Sequence, residues 1–306
     1  MPHPASHSTA RGYLLVLGAA TLWGTLGLFY TFLGERFAIS PPAIAFFRAG
    51  MALLVLVSFS ALFRRDWLRI QRRDLPLFLG QGAVGIGAFY LFAVYAVRVA
   101  GMSVAAVLLY TAPFWVTLYA WLFLGEGLDR FKALALAGTV LGAALVAQAF
   151  RPTLLRLNAL GIALGLASGV CYACYSLFNK YLVRRYSPWT ALTFGLGFGL
   201  PLLGLAQSGP ELWHALHTPG ALWWLALLGL VPTLGAGLLY TTALTDLPAS
   251  VASIIVAFEP VVASLLAFVV LHERLSTQQL LGATIIVASI VLLGARDLLR
   301  RSAPPH

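Results

Sequence analysis

A stretch of this chain returns 147 positions later, and that copy limits the architecture more than any single residue does. Ser40-Pro41 recurs as Ser187-Pro188, and Ser103-Val104-Ala105 as Ser250-Val251-Ala252. Pro113 returns as Pro260, Glu126 as Glu273 and Leu128 as Leu275. The same offset carries Gly18 onto Gly165, Gly82 onto Gly229 and Ala96 onto Ala243 without a gap. Each copy holds five apolar runs of about 20 residues, the length that crosses a hydrocarbon core. Five is odd, so a tandem copy must enter the membrane upside down relative to the first. Inverted halves with a binding site between them are the plan of many carriers.

The ten runs lie at 13–34, 42–63, 75–97, 103–124, 131–150, 158–181, 188–206, 220–243, 249–271 and 278–295. They are continuously apolar rather than alternating, which predicts helices and not barrel strands. Hydrophobic residues make up 60%, charged residues 10%, and the mean hydropathy is +0.88. A soluble surface needs far more charge. The expected fold is an all-α integral membrane protein of ten transmembrane helices in a 5+5 inverted repeat. The repeats are read at 11–150 and 158–295, separated by the polar segment Arg151 to Asn158. Each half alone leaves a packing face uncovered, so the two are expected to form one folded unit. Pro41 and Pro188 suit helix starts, and Ser276-Thr277-Gln278-Gln279 reads as a capping box opening the last run.

A net charge of +10 invites a nucleic-acid reading, but its distribution argues against one. Arg64, Arg65, Arg69, Arg72 and Arg73 follow run 2; Lys180, Arg184 and Arg185 follow run 6; Arg296, Arg300 and Arg301 follow run 10. With the N-terminus inside, all three clusters fall on the inner side, the positive-inside bias that places both termini in the cytoplasm of an inner (plasma) membrane. The partners so implied are the lipid bilayer and a small solute, with no nucleic acid; the oligomeric state stays open and a monomer is compatible. The first run is too long for a cleavable signal core and reads as an uncleaved span. Cys171 and Cys174 share C-x-x-C spacing inside run 6, but no partner ligands accompany them, so they read as small buried residues and not as a metal or redox site.

The chemistry-bearing residues are few. All six histidines, at 3, 7, 214, 217, 272 and 306, fall in tails, connections or run ends. That placement disfavours an intramembrane Ser-His enzyme, an HExxH zinc site or a histidine proton relay, and the chain holds no phosphate-binding loop. The expectation is no enzyme, no metal and no cofactor. Arg48 and Glu259 lie within runs, where a charge costs about 2.5–3.5 kcal/mol on insertion scales and so faces protein or water. Glu259 reads either as a substrate-amine or proton site or as a structural carboxylate near a kink. Arg48 reads as a hydrogen-bonding anchor or a substrate contact. Glu126 and Glu273 end runs 4 and 9 and read as interfacial carboxylates near the positive end of the following helix. Pro113 and Pro260 lie within runs 4 and 9, where each removes a backbone hydrogen bond and kinks its helix. Glycines at 80, 82, 85 and 87, and at 229, 235 and 237, either let helices approach closely or leave room for a solute. Trp67, Trp189, Trp213, Trp223 and Trp224 read as an interfacial belt. Trp23, Tyr90, Tyr95, Tyr110, Trp115, Tyr172, Tyr175 and Tyr240 lie deeper, and Tyr172, Tyr175, Ser176 and Asn179 share one face of run 6.

The repeat text resembles the EamA-like unit of the drug/metabolite transporter superfamily. The resemblance rests on Gly18-Ala19-Ala20-Thr21-Leu22-Trp23-Gly24, Ser40-Pro41, Phe46-Phe47-Arg48, Tyr110-Thr111-Ala112-Pro113 and Gly125-Glu126 in the first half. In the second it rests on Phe258-Glu259-Pro260, His272-Glu273-Arg274-Leu275 and Gly282-Ala283. It implies a central cavity formed mainly by spans 1, 3, 4, 6, 8 and 9, and no covalent cofactor. Within the superfamily the chain is most similar to the YddG-type aromatic amino acid exporters, which implies export of phenylalanine, tyrosine, tryptophan and other neutral amino acids. The resulting expectation is alternating access around a substrate held by Trp23, Tyr90, Tyr110, Trp115, Tyr175, Asn179, Tyr240 and Glu259. Pro113 and Pro260 would act as hinges, and Arg48, Glu126 and Glu273 as structural or coupling charges. Two couplings stay open, a proton gradient acting through Glu259 and the solute's own gradient. The rivals are a multidrug or other metabolite exporter of the same fold, an intramembrane enzyme, and a non-transporting scaffold.

Overall fold

The computed structural model describes residues 6–149 and 158–302. Most of the segment that separates the repeats lies outside the described residues. So do His3 and His306 in the tails. Among the described residues there are helices and no strand. Nine helices among the described residues are long and apolar enough to cross a membrane: α1 (Thr9–Phe37), α2 (Pro41–Phe63), α3 (Arg72–Ala100), α4 (Met102–Leu124), α6 (Ala159–Leu182), α7 (Pro188–Leu205), α8 (Ala221–Asp246), α9 (Ala249–Val270) and α10 (Thr277–Asp297). The tenth, α5 (Arg130–Val146), has 17 residues and is followed by a left-handed Gln148 at φ 56, so it stops short of the 150 expected.

Local sequence explains the helix starts. Ser40 and Ser187 cap α2 and α7 through their hydroxyls, accepting from Ala43 N at 3.4 Å and Thr190 N at 3.1 Å, with proline in the first turn of each. Ser276 and Gln279 exchange side-chain and backbone hydrogen bonds at 2.9 and 3.3 Å, the capping box read from the sequence.

Five spans are interrupted, and in four of them the repeat sets where. α3 is π-helical over Gln81–Ala88 and α8 over Gly229–Gly235, nearly the same positions 147 residues apart. α4 breaks at Tyr110-Thr111 and α9 at Ala257-Phe258, again offset by 147. Here the structure corrects the sequence reading of the prolines. Pro113 and Pro260 do not kink continuous helices; each sits in the first turn of the second half-helix, where its missing N–H is not required. α1 also breaks, at Thr25, whose hydroxyl donates to the Leu22 carbonyl at 2.6 Å. Its counterpart α6 runs unbroken over Ala159–Leu182.

The halves pack against each other. α3 lies on α6 and α7, α8 on α1 and α2, and α5 on α10. The glycines show the pseudo-symmetry directly. A Cβ on Gly82 would stand 2.7 Å from the Gly195 carbonyl oxygen, and one on Gly229 would stand 3.0 Å from the Arg48 carbonyl oxygen. Residues 48 and 195 are themselves related by the offset. These glycines therefore let helix backbones touch, and the room for a solute lies elsewhere. The first and last spans meet at one end of the bundle, where the Tyr13 hydroxyl donates to Asp297 at 2.9 Å. We call this the tail end and the opposite one the mouth end. An amphipathic helix, Gly209–His217, lies at the mouth end between α7 and α8, and no apolar run announced it.

Candidate functional site

One cavity of about 470 Å³ enters the bundle from the mouth end and stops near its middle. Its rim includes Pro41, the exposed Arg98 and Met102, the last 64% exposed. Its floor is set by the interrupted segments: Gly85 and Ile86 from the π-turn of α3, Thr233 from that of α8, and Tyr110 and Ala257 from the breaks of α4 and α9. The size suits a small organic solute. The walls are mainly apolar and aromatic, with Trp23, Tyr30, Phe89, Tyr90, Tyr110, Tyr172 and Tyr175 among them.

Both intramembrane charges line this cavity. Arg48 is 5% exposed and donates from Nη2 to the Tyr90 hydroxyl at 2.7 Å, with its guanidinium carbon 4.5 Å from the Tyr90 ring centroid. Its Nε is buried without a hydrogen-bond partner. Glu259 opens the second half-helix of α9, so its carboxylate stands at a helix's positive end. The Tyr110 phenol faces that carboxylate. Among the described residues no ion pair within 4.0 Å joins Arg48 to Glu259.

The residues singled out from sequence separate into three groups. Trp23, Tyr90, Tyr110, Tyr175, Glu259, Arg48 and Pro113 line the cavity. Tyr240 and Asn179 are fully buried behind its wall. Tyr240 hydrogen-bonds Ser176 at 2.8 Å, stacks on Tyr175 and meets Trp23 at a tilt, with ring centroids 6.1 and 5.3 Å away. Asn179 donates to the Tyr175 carbonyl at 2.9 Å and accepts from Gln81 at 2.8 Å, which binds α6 to the π-turn of α3. Trp115 stands apart, donating to the Thr111 hydroxyl at 3.2 Å beside a separate groove with Phe114 and Leu136. Pro260 is buried next to Glu259 but is not part of the lining.

Tyr30 and Phe89 line the cavity although neither was singled out. Helical spacing carried the signal: Trp23, Leu26, Gly27 and Tyr30 form one stripe of α1, and Gly85, Phe89, Tyr90 and Ala93 one stripe of α3.

The tail end is sealed. Glu126, at the end of α4, accepts from the backbone N–H groups of Ala249 at 2.7 Å and Ser250 at 3.1 Å, and from the Ser250 hydroxyl. It thus caps α9 across the repeat interface, not the helix that follows it, as the sequence suggested. Lys132 donates to Ser250 Oγ at 2.9 Å and to the Gly127 carbonyl at 2.7 Å. Lys180 donates to the carbonyls of Leu244 and Leu247 at 2.6 and 2.7 Å. Arg296 pairs with Asp129 at 2.5 Å. All of Ala249–Val256 is buried. Glu273, the counterpart of Glu126, lies exposed at the mouth end.

A transporter model accounts for both halves. The EamA-like transporter family matches residues 10–148 and again 159–295, so the chain belongs to that family. An uncharacterized transporter of Archaeoglobus fulgidus is 27% identical over 281 residues, 89% of this chain and 98% of its own. The threonine/homoserine exporter RhtA of Salmonella typhimurium is 27% identical over 257 residues, 82% of this chain and 81% of its own. The pseudopaline exporter CntI of Pseudomonas aeruginosa is 30% identical over 206 residues, 66% of this chain and 68% of its own. One solved crystal structure superposes with a TM-score of 0.78 at 20% identity, over 94% of this chain and 99% of the other, a likeness of fold. The protein is a multi-span membrane transporter and not an enzyme.

Proposed function

We propose that this protein exports neutral amino acids, aromatic ones among them, by alternating access, with the tail end in the cytoplasm of the inner membrane. The observation that carries the reading is one mouth-open cavity whose mainly apolar wall includes seven aromatic rings and holds one buried cation and one carboxylate. A zwitterion with an apolar side chain matches that lining in charge and polarity. The relative named as a threonine/homoserine exporter supports the amino-acid class.

In this reading Trp23, Tyr90, Tyr110 and Tyr175 supply ring contacts and Glu259 meets the polar end of the substrate. Tyr240 and Asn179 hold Tyr175 and α6 in place, and the breaks before Pro113 and Pro260 act as hinges. Glu259 also offers a carboxylate through which a proton gradient could drive export. Reconstituted protein in liposomes loaded with phenylalanine should show saturable counterflow of labelled phenylalanine, inhibited by other neutral amino acids. Folded protein without such flux would overturn the reading.

A second reading, export of a larger metabolite, is favoured by the likeness to the pseudopaline exporter. In the same assay it requires flux that neutral amino acids do not inhibit.

A further inference from the structure

We propose that the guanidinium of Arg48 is the docking site for a carboxylate on the substrate. The proposal rests on the transport reading of the cavity and adds to it the pole that Arg48 takes. A guanidinium has five N–H donors and no acceptor. Tyr90 takes one of them, Tyr30 stands against the guanidinium as well, and Nε is buried with no hydrogen-bond partner. Leaving a buried donor unsatisfied is costly, and more so when it is charged, so its position needs a reason. A carboxylate is the group whose two oxygens meet such a fork with two parallel bonds.

The repeat strengthens the case. At the same place in the second half stands Gly195, and the matching helix crossing closes there against the Gln81 side chain, with no arginine. The packing thus has no need of an arginine. Arg48 departs from the repeat, and so does Glu259, which stands where the first half has Ala112. Both departures face the same cavity. With Tyr30 and Tyr90 beside Arg48, and Tyr110 beside Glu259, the cavity has one carboxylate-binding and one ammonium-binding pole.

The test is binding to purified wild type, Arg48→Lys and Arg48→Gln. Three probes share a phenyl ring: phenylalanine, 3-phenylpropionate without the amine, and phenethylamine without the carboxylate. Thermal unfolding first confirms that the variants fold. The expected result is that Arg48→Gln weakens phenylalanine and 3-phenylpropionate by about tenfold or more and leaves phenethylamine within about twofold, with Arg48→Lys between. Equal loss for all three probes, or no loss in folded protein, would overturn the assignment. Binding of 3-phenylpropionate is read without transport, so a failure of amino acid flux leaves this result standing on its own.

A different observation carries a second inference. We infer that Glu273 and the start of α4 form the mouth-end latch of the inward-open state, the counterpart of the tail-end latch seen here. Glu126 caps α9 at Ala249 and Ser250; the offset turns this set into Glu273 and α4 at Met102 and Ser103. Carboxylate and serine are both retained. In this structure the second set is apart: Glu273 is exposed, Met102 lines the open rim, and the start of α4 has no side-chain cap. Two inverted halves that exchange conformations bring the second set together as the first separates.

The test uses protein with Cys171 and Cys174 replaced by serine, carrying either Gly127→Cys with Ala249→Cys or Arg274→Cys with Met102→Cys, so that both latch carboxylates stay in place. A short bifunctional thiol reagent is applied at rest and during turnover. The first pair should cross-link at rest, and the second only during turnover; each cross-link should abolish flux. A second pair that never reacts during turnover, while the first does at rest, would overturn the inference.

Discussion

The two ends of the bundle are built from the same repeat text and stand in opposite states. At the tail end a carboxylate, a serine and two helix N–H groups meet, with Lys132 adding a tie across the repeats and Lys180 one within the second. At the mouth end the matching carboxylate is exposed and the matching helix start lines an opening. One sequence pattern therefore serves two geometries. Under the proposed alternating access, the tilt of the halves would decide which end is closed. Single residues still bias the balance, because Lys132 and Lys180 face Gln279 and Leu33 in the other copy and those ties have no twin.

Breaking the tail-end latch should have the largest effect. Glu126→Ala removes a charged acceptor from two backbone N–H groups, worth about 1.5–3 kcal/mol each. The expected outcome is a tail end that opens at rest, read as labelling of a cysteine placed near Val256 from the tail side, with flux lowered tenfold or more. Lys180→Met should act in the same direction and less strongly, because its partners are carbonyls of a single connection; its flux should fall severalfold. Adding a methyl group at either glycine crossing should be costly and nearly symmetric. Gly82→Ala meets Phe198 Cβ at 2.5 Å and Gly229→Ala meets Met51 Cβ at 2.7 Å, so each should destabilise by about 1–3 kcal/mol in thermal unfolding. A large difference between the two would mean that the crossings are not equivalent. The smallest effect belongs to Glu273→Gln. The side chain is exposed in this state, so resting stability should change by no more than about 0.5 kcal/mol while turnover slows.

Much of this fold was legible because it is written twice. An offset of 147 locates Pro113 and Pro260 together, and both do mark helix breaks, although the break precedes the proline instead of bending at it. The π-turns of α3 and α8 were visible only as glycine-rich stretches, since composition does not tell close packing from an altered hydrogen-bond ladder. The helix Gly209–His217 is too short and too polar to register as an apolar run. Site residues were legible where depth alone decides, as for Arg48 and Glu259. They were not legible where a distant partner decides. Asn179 looks like a free amide on a polar stripe until Gln81, 98 positions earlier, is placed against it. Glu126 looks like a carboxylate for the next helix until α9 is found across the interface, 123 positions away.

The central claim is that substrate occupies this cavity and is released from the mouth end while the tail end is shut. The most direct measurement places a cysteine at Thr233, on the cavity floor, in the background without Cys171 and Cys174. A membrane-impermeant thiol reagent is then applied from either side of the membrane. The account predicts rapid labelling from the mouth side, protection by phenylalanine, and slow labelling from the tail side that speeds up during turnover. Labelling from both sides at rest, or from the mouth side with no protection by any amino acid, would contradict it.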